Sequence, residues 1–218
     1  IDPATNQVID TIDIGGQVVG VDATDDAAWV ADTANNTVVR INAADTADQT
    51  PIDVEDQPRI VDVTDTAVWV TNLGSDSVSH IDRESNVVQA NIGVADDPRG
   101  LAATATDVWV ASYAAGVVTR IDAASNQVVA EIPVGGNPVS VVTTDGAVWV
   151  AESESDVVIQ IDPATNAEVR RIEVGVDPTA LAAFGDAVYV STAGDDTVTW
   201  IDATTGEIRD TITVGAAP

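Results

Sequence analysis

The sequence predicts an all-β fold, a five-bladed β-propeller of four-stranded antiparallel blades. Three observations predict it. The chain matches itself at a shift of 40 residues without a gap. Each period holds four short segments in which apolar and polar residues alternate, and Gly, Asn and Asp punctuate them. Alternation with period two marks strands with one buried face, and such turn residues tolerate positive φ or cap a turn through the side chain. Four strands per repeat of about 40 residues is the pattern of propeller blades, which bury their faces only by stacking on one another.

The repeat is visible as columns. Ile1, Ile41, Ile81, Ile121, Ile161 and Ile201 form one, and Ile12, Ile52, Ile92, Ile132, Ile172 and Ile212 another. Trp29, Trp69, Trp109, Trp149 and Tyr189 form a third, each followed by Val. The strands of one copy are named A, innermost, to D, outermost. In the last copy, Pro178 leads into A at 179–183 and Gly185-Asp186 turns into B at 187–191. Gly194-Asp195-Asp196 then turns into C at 197–202, and a hairpin through Gly206 leads to D at 207–214. The chain is a single propeller domain over 1–218, with blades at about 17–56, 57–96, 97–136, 137–176 and 177–218. Residues 6–14 repeat the D column ahead of the first A strand, so a surplus outer strand is expected at the N-terminus. The A strands are expected to line a narrow channel with five walls.

Composition narrows the function. Only 4% of the residues are aromatic, so Val, Ile and Ala must fill the core. There is no Cys, which excludes disulfides and thiolate metal sites. No apolar run is long enough for a membrane-spanning helix. The chain opens on Ile1 and shows no leader, which points to a mature or trimmed form. The formal net charge is −28, and all eight basic residues are Arg. Such a surface repels phosphate backbones and anionic membranes, so nucleic acid is not expected as a partner. Carboxylate-saturated loops of this kind are like those of proteins adapted to high salt, where ions screen the self-repulsion; the alternative is an ordinary acidic secreted protein from a GC-rich genome.

Trp69-Val70-Thr71-Asn72 and Tyr189-Val190-Ser191-Thr192 resemble the Tyr-Val-Thr-Asn motif of YVTN-type β-propellers. Ile161-Asp162-Pro163-Ala164-Thr165-Asn166, followed by Ile172-Glu173-Val174-Gly175, resembles that family's hairpin and outer strand. The resemblance runs the length of the chain. It implies a surface-layer or secreted propeller, located outside the cell or on its surface.

The candidate site residues are those that break the repeat. Arg59 and Arg99, in Gln57-Pro58-Arg59 and Asp97-Pro98-Arg99, stand where other copies have Val19, Val139 and Thr179. Two guanidiniums at one channel mouth could clamp a carboxylate, or could pair with Asp56, Asp96 or Asp97. Asp22 and Asp62 lie on adjacent A strands and could hold a cation. The five aromatic residues of the Trp column are expected to be core, packed between blades, where each ring buries roughly 150–250 Å². The Asp of each C–D hairpin is expected to cap its turn rather than bind a cation. His80 is the only His, and no Ser, Asp or metal-ligand partner stands out beside it. No catalytic residue, cofactor or metal is expected. These readings favour a non-enzymatic scaffold that binds protein partners or itself. The alternatives are a filament or surface-layer subunit linked by strand addition, and a small-ligand receptor or lyase-like enzyme using the channel mouth.

Overall fold

A computed structural model describes residues 1–2 and 4–215. Its strands form five separate four-stranded antiparallel sheets, each ordered A-B-C-D from consecutive segments. The inner strands are Val18–Ala23, Pro58–Val63, Pro98–Ala103, Pro138–Thr144 and Pro178–Phe184. The outer strands are Asp45–Asp53, Val87–Gly93, Gln127–Pro133, Ala167–Glu173 and Ile208–Thr213. This is the propeller architecture of five four-stranded blades. No helix among the described residues is long and apolar enough to cross a membrane.

The turns follow from the side chains. At the B–C turn, Asn36, Asp76, Asp156 and Asp196 have φ of 55°, 47°, 59° and 55°, and Gly116 has 66°. Asn, Asp and Gly tolerate this left-handed region, and β-branched residues do not. At the C–D hairpin, Asp82 Oδ1 accepts from Ser85 N at 2.8 Å and Ser85 Oγ at 2.6 Å, and Asp122 and Ser125 repeat the pattern. These bonds favour the carboxylate and hold both acids below their ordinary pKa. The hairpin Asp is a turn cap.

Consecutive blades share one kind of junction. The rear of the first blade contributes Trp29, Ala31, Val38 and Ile52, and the front of the second contributes Val61, Val68, Val70 and Ile81. The same columns rebuild the next three junctions around Trp69, Trp109 and Trp149. These four indoles are 0–1% exposed. Close approach of the inner strands explains two glycines. A Cβ on Gly20 would stand 2.1 Å from the Arg59 carbonyl oxygen, and one on Gly100 would stand 3.0 Å from Ser140 Cα.

Three expectations need correction. First, the five-walled channel does not close. Each inner strand packs on the next, but the fifth makes no comparable contact with the first among the described residues. Val21 is therefore 62% exposed, whereas Val61, Leu101 and Val141 in its column are buried. Second, Tyr189 is not core. It is 37% exposed, because among the described residues no blade packs over it. Third, residues 8–14 form no strand. The preceding hairpin is present, with Asp2 N donating to Gln7 O at 2.9 Å and Asn6 N to Asp2 O at 2.8 Å. Among the described residues no C strand lies beside residues 8–14 to supply a ladder, and a lone strand cannot satisfy its backbone groups. Val8 and Ile12 are exposed, while Ile14 packs on Val30, Val39 and Ile41 of the first blade.

Candidate functional site

The D-to-A loops bring Arg59, Arg99, Val139 and Thr179 to the same level of successive inner strands. There they line a cavity of about 270 Å³ with Tyr113, Ser153, Asp177 and Pro178. Gln57, Asp97 and Asp177, each followed by Pro, hold φ of 57°, 62° and 55°. The left-handed residue turns the chain inward, and Pro fixes the start of the strand. Arg59 and Arg99 are thus brought together, as the sequence predicts, but they are not equivalent. Arg99 Nε donates to both oxygens of Asp97 at 3.0 and 3.1 Å, and its guanidinium carbon lies 3.7 Å from the centroid of Tyr113. Its charge is neutralised in place. Arg59 is exposed and has no hydrogen bond or ion pair among the described residues. The other six arginines each hold a carboxylate or a carbonyl.

Asp22 and Asp62 are brought to neighbouring blades, and one oxygen of each is taken by a backbone N–H. Asp22 Oδ2 accepts from Val63 N and Asp62 Oδ2 from Ala103 N, both at 2.8 Å. Each carboxylate crosses a junction and ties one inner strand to the next. Burial, with a smaller push from the Asp22 charge, raises the Asp62 pKa to about 6 against the opposing Ala103 bond. Among the described residues, no group of three or more His, Cys, Asp or Glu is placed to hold a metal ion.

His80 belongs to a junction device. Its ring stacks on Trp69, with centroids 4.2 Å apart and planes at 14°. Its Nδ1 lies 2.7 Å from Asn126 Oδ1 in the hairpin of the next blade. One blade on, Arg120 lies over Trp109 at 5.0 Å and donates to Asn166 Oδ1 at 2.9 Å. At these two junctions the side chain across from the Trp covers the indole and reaches the following hairpin. The signal was present in the sequence: His80 and Arg120 each precede their Asn by 46 residues.

Sequence reasoning missed two buried acids at the end of the B strand. Asp32 Oδ1 accepts from Gln17 N at 2.9 Å and Ala34 N at 3.1 Å. Glu152 Oε1 accepts from Asn137 N and Glu154 N, both at 2.7 Å, and Oε2 from Ser155 N at 3.1 Å. Burial pushes both pKa values up, and the N–H donors outweigh it, so both end below the ordinary value. A Cβ on Gly16 or Gly136 would fall within about 2 Å of these carboxylates. The pairing of Gly-Gly with an acid 16 residues after its second Gly, in blades one and four alone, was the available signal.

Fold and repeat define a β-propeller. Residues 61–212 match the family described as Domain of unknown function (DUF5074), and the chain belongs to that family. No curated protein matches it. Among solved structures, streptogramin B lyase is similar at 15% identity with a TM-score of 0.81, over 91% of this chain and 69% of that one. The computationally designed protein Ika8 is similar at 15% identity and 0.80, over 92% and 63%. The WD40 domain of Neurospora crassa Pan2 is similar at 16% and 0.76, over 91% and 66%. These likenesses are of fold, and the chain spans about two thirds of each neighbour.

Proposed function

We propose that the protein is a non-enzymatic interaction scaffold, working outside the cell or on its surface. In this reading the mouth bearing Arg59, Arg99 and Tyr113 engages a carboxylate-bearing segment of a protein partner. The observation that carries it is Arg59: an exposed guanidinium without a partner, on a chain of net charge −28, beside a cavity. A free charge-assisted donor supplies affinity, and Tyr113 with its stacked guanidinium supplies a flat wall. Asp177 lines the same cavity, so Arg59 rather than a uniformly basic field must hold the anion. The resemblance to YVTN-type surface propellers and the acidic, Lys-free composition support the location. Propeller domains in protein assemblies support the scaffold role. His80, stacked on Trp69 and bridged to Asn126, supports a structural rather than chemical use of the only imidazole. The strand-addition alternative places residues 6–14 on a neighbouring molecule, where they would become the strand that residues 8–14 do not form within this chain.

The test is calorimetric titration of the chain with a Glu-rich peptide at low salt, repeated on Arg59→Ala and Arg209→Ala. Arg59→Ala should weaken binding roughly 10- to 100-fold, the worth of a charged hydrogen bond. Arg209→Ala, far along the chain and paired with Asp202, should leave it unchanged. Equal binding by all three proteins would reject the mouth as the interaction surface.

A further inference from the structure

The junction between the fourth and fifth blades departs from the two before it. At those two, His80 reaches Asn126 and Arg120 reaches Asn166, each 46 residues on. Gln160 holds the same place across from Trp149, but the residue 46 on is Gly206, which has no side chain to offer. Gln160 is 8% exposed, and its Oε1 is buried without a hydrogen bond among the described residues. A buried amide acceptor is costly to leave unmet, so the position calls for a donor from outside the chain. Thr144 departs in a second way. Thr24, Thr64 and Thr104, its counterparts, donate to the carbonyls of Ala27, Ala67 and Asp107 at 3.4, 3.2 and 3.0 Å. Thr144 Oγ1 instead accepts from the Trp149 indole N–H at 3.0 Å and keeps its own proton to give. Gln160 and Thr144 line one cavity of about 800 Å³. It lies at the opposite end of the strands from Arg59, between the A–B turns of the fourth and fifth blades and the C–D hairpin of the fifth. The volume falls within the roughly 300–1,000 Å³ of small-molecule sites. Asp145 and Asp186 stand on its two turns and Thr204 on its hairpin, and no basic residue lines it.

We infer that this cavity binds a neutral saccharide. A sugar hydroxyl is donor and acceptor at once. Hydroxyls of one ring donate to Gln160 Oε1 and accept from the Thr144 hydroxyl, and others donate to the carboxylates of Asp145 and Asp186 at the rim. Two carboxylates with no cation in the lining turn an anion away. An ammonium would meet the acceptors but leave the Thr144 proton unused. The site is separate from the mouth that holds Arg59 and Arg99, and it stands whether or not that mouth binds a carboxylate.

The experiment is saturation-transfer NMR of the 218-residue chain with glucose, galactose, mannose and N-acetylglucosamine, with glucosamine and glucuronate as charged counterparts. At least one neutral sugar should bind at millimolar concentration and more tightly than glucuronate. Gln160→Leu keeps bulk over Trp149 and removes the amide. It should weaken that binding roughly 10-fold or more, with the melting temperature unchanged or raised, because an apolar group replaces an unmet acceptor. Gly206→Asn supplies the partner that Gln160 lacks. Gly206 has φ of 75°, and Asn86, Asn126 and Asn166 hold the same place at 58°, 59° and 56°, so the backbone accepts Asn. The new Cβ would meet the flexible end of Arg170, which can move aside. This variant should weaken sugar binding by a similar factor and raise the melting temperature by a few degrees. No transfer to any neutral sugar would overturn the proposal. So would binding that is equal in the parent and both variants. Binding of glucosamine without the neutral sugars would assign the cavity to a cation, and a lower melting temperature for Gln160→Leu with sugar binding intact would make Gln160 structural; either result overturns the proposal.

Discussion

Trp109 and Tyr189 occupy the same column of the same repeat, yet one is sealed and the other is 37% exposed. Trp109 lies between the third and fourth blades, against Val141, Val148 and Val150. Among the described residues no blade lies over Tyr189 on the fifth. The side chains differ little, and the strand pairings are the same, so the blade itself does not create the core. The junction does. In a propeller, apolar pattern becomes stability only where a second blade arrives.

The largest expected effect breaks or upholds this contrast directly. Trp109→Ala should destabilise by about 3–5 kcal/mol, as other large core truncations do. Tyr189→Ala should cost less than about 1 kcal/mol in chemical denaturation of the 218-residue chain. Equal losses would mean that the fifth blade is covered in solution. The second effect moves from apolar to polar ties at the same depth. Glu152→Ala removes one acceptor group from three backbone N–H donors and should cost about 2–3 kcal/mol. Thr192→Val, at the same column in the fifth blade, should cost about 1 kcal/mol or less, measured in the same way.

The third effect distinguishes among junctions. Asp62 has its pKa raised to about 6 in the folded protein, mainly by burial. A raised carboxyl stabilises the fold fully below its unfolded pKa near 4, and that contribution is lost as pH rises through 6. Denaturation at pH 4 to 7 should therefore show a decline of about 1–3 kcal/mol that Asp62→Asn abolishes. The fourth and fifth blades meet through Val142 instead, and the tie there does not titrate: Leu181 N donates to Ser140 Oγ at 3.1 Å. A decline that survives in Asp62→Asn would assign it to another acid. The smallest effect acts on all blades alike. Melting temperature should rise by a few degrees from dilute buffer to molar KCl, as screening relieves repulsion among 36 carboxylates. A melt indifferent to KCl would reject the salt-adapted reading of the surface.

Much of the fold was legible because the repeat carries no gap. Column position alone assigned each strand, and the Ile, Val and Trp columns gave the buried faces. Arg59 and Arg99 were legible as departures from a column that elsewhere holds Val or Thr. What the columns do not encode is the rotation from one blade to the next. Five copies close a ring at one rotation and leave an arc at another, so the exposure of Val21 and Tyr189 was not readable from spacing. The role of Asp22 and Asp62 was hidden for a related reason. Their partners, Val63 N and Ala103 N, are backbone groups on another blade, and side-chain patterns do not reveal them. Residues 6–14 misled because a D-strand pattern is necessary for an outer strand but not sufficient: without a third strand alongside, the same residues make no ladder.

The open arc also bears on how the chain acquires its structure. Blade pairs meet through neighbours, and the hydrogen bond from Arg83 to Thr24 reaches back 59 residues. No contact between the first and fifth blades has to form before the interior is complete, so the entropy of closing a loop of some 200 residues is never incurred. Folding of the 218 residues is then a sequence of short-range additions, able to start at any junction and spread in both directions. Unfolding is expected to begin at either uncovered end, the first blade or the fifth, and among the described residues the five blades behave in time as in space as a line.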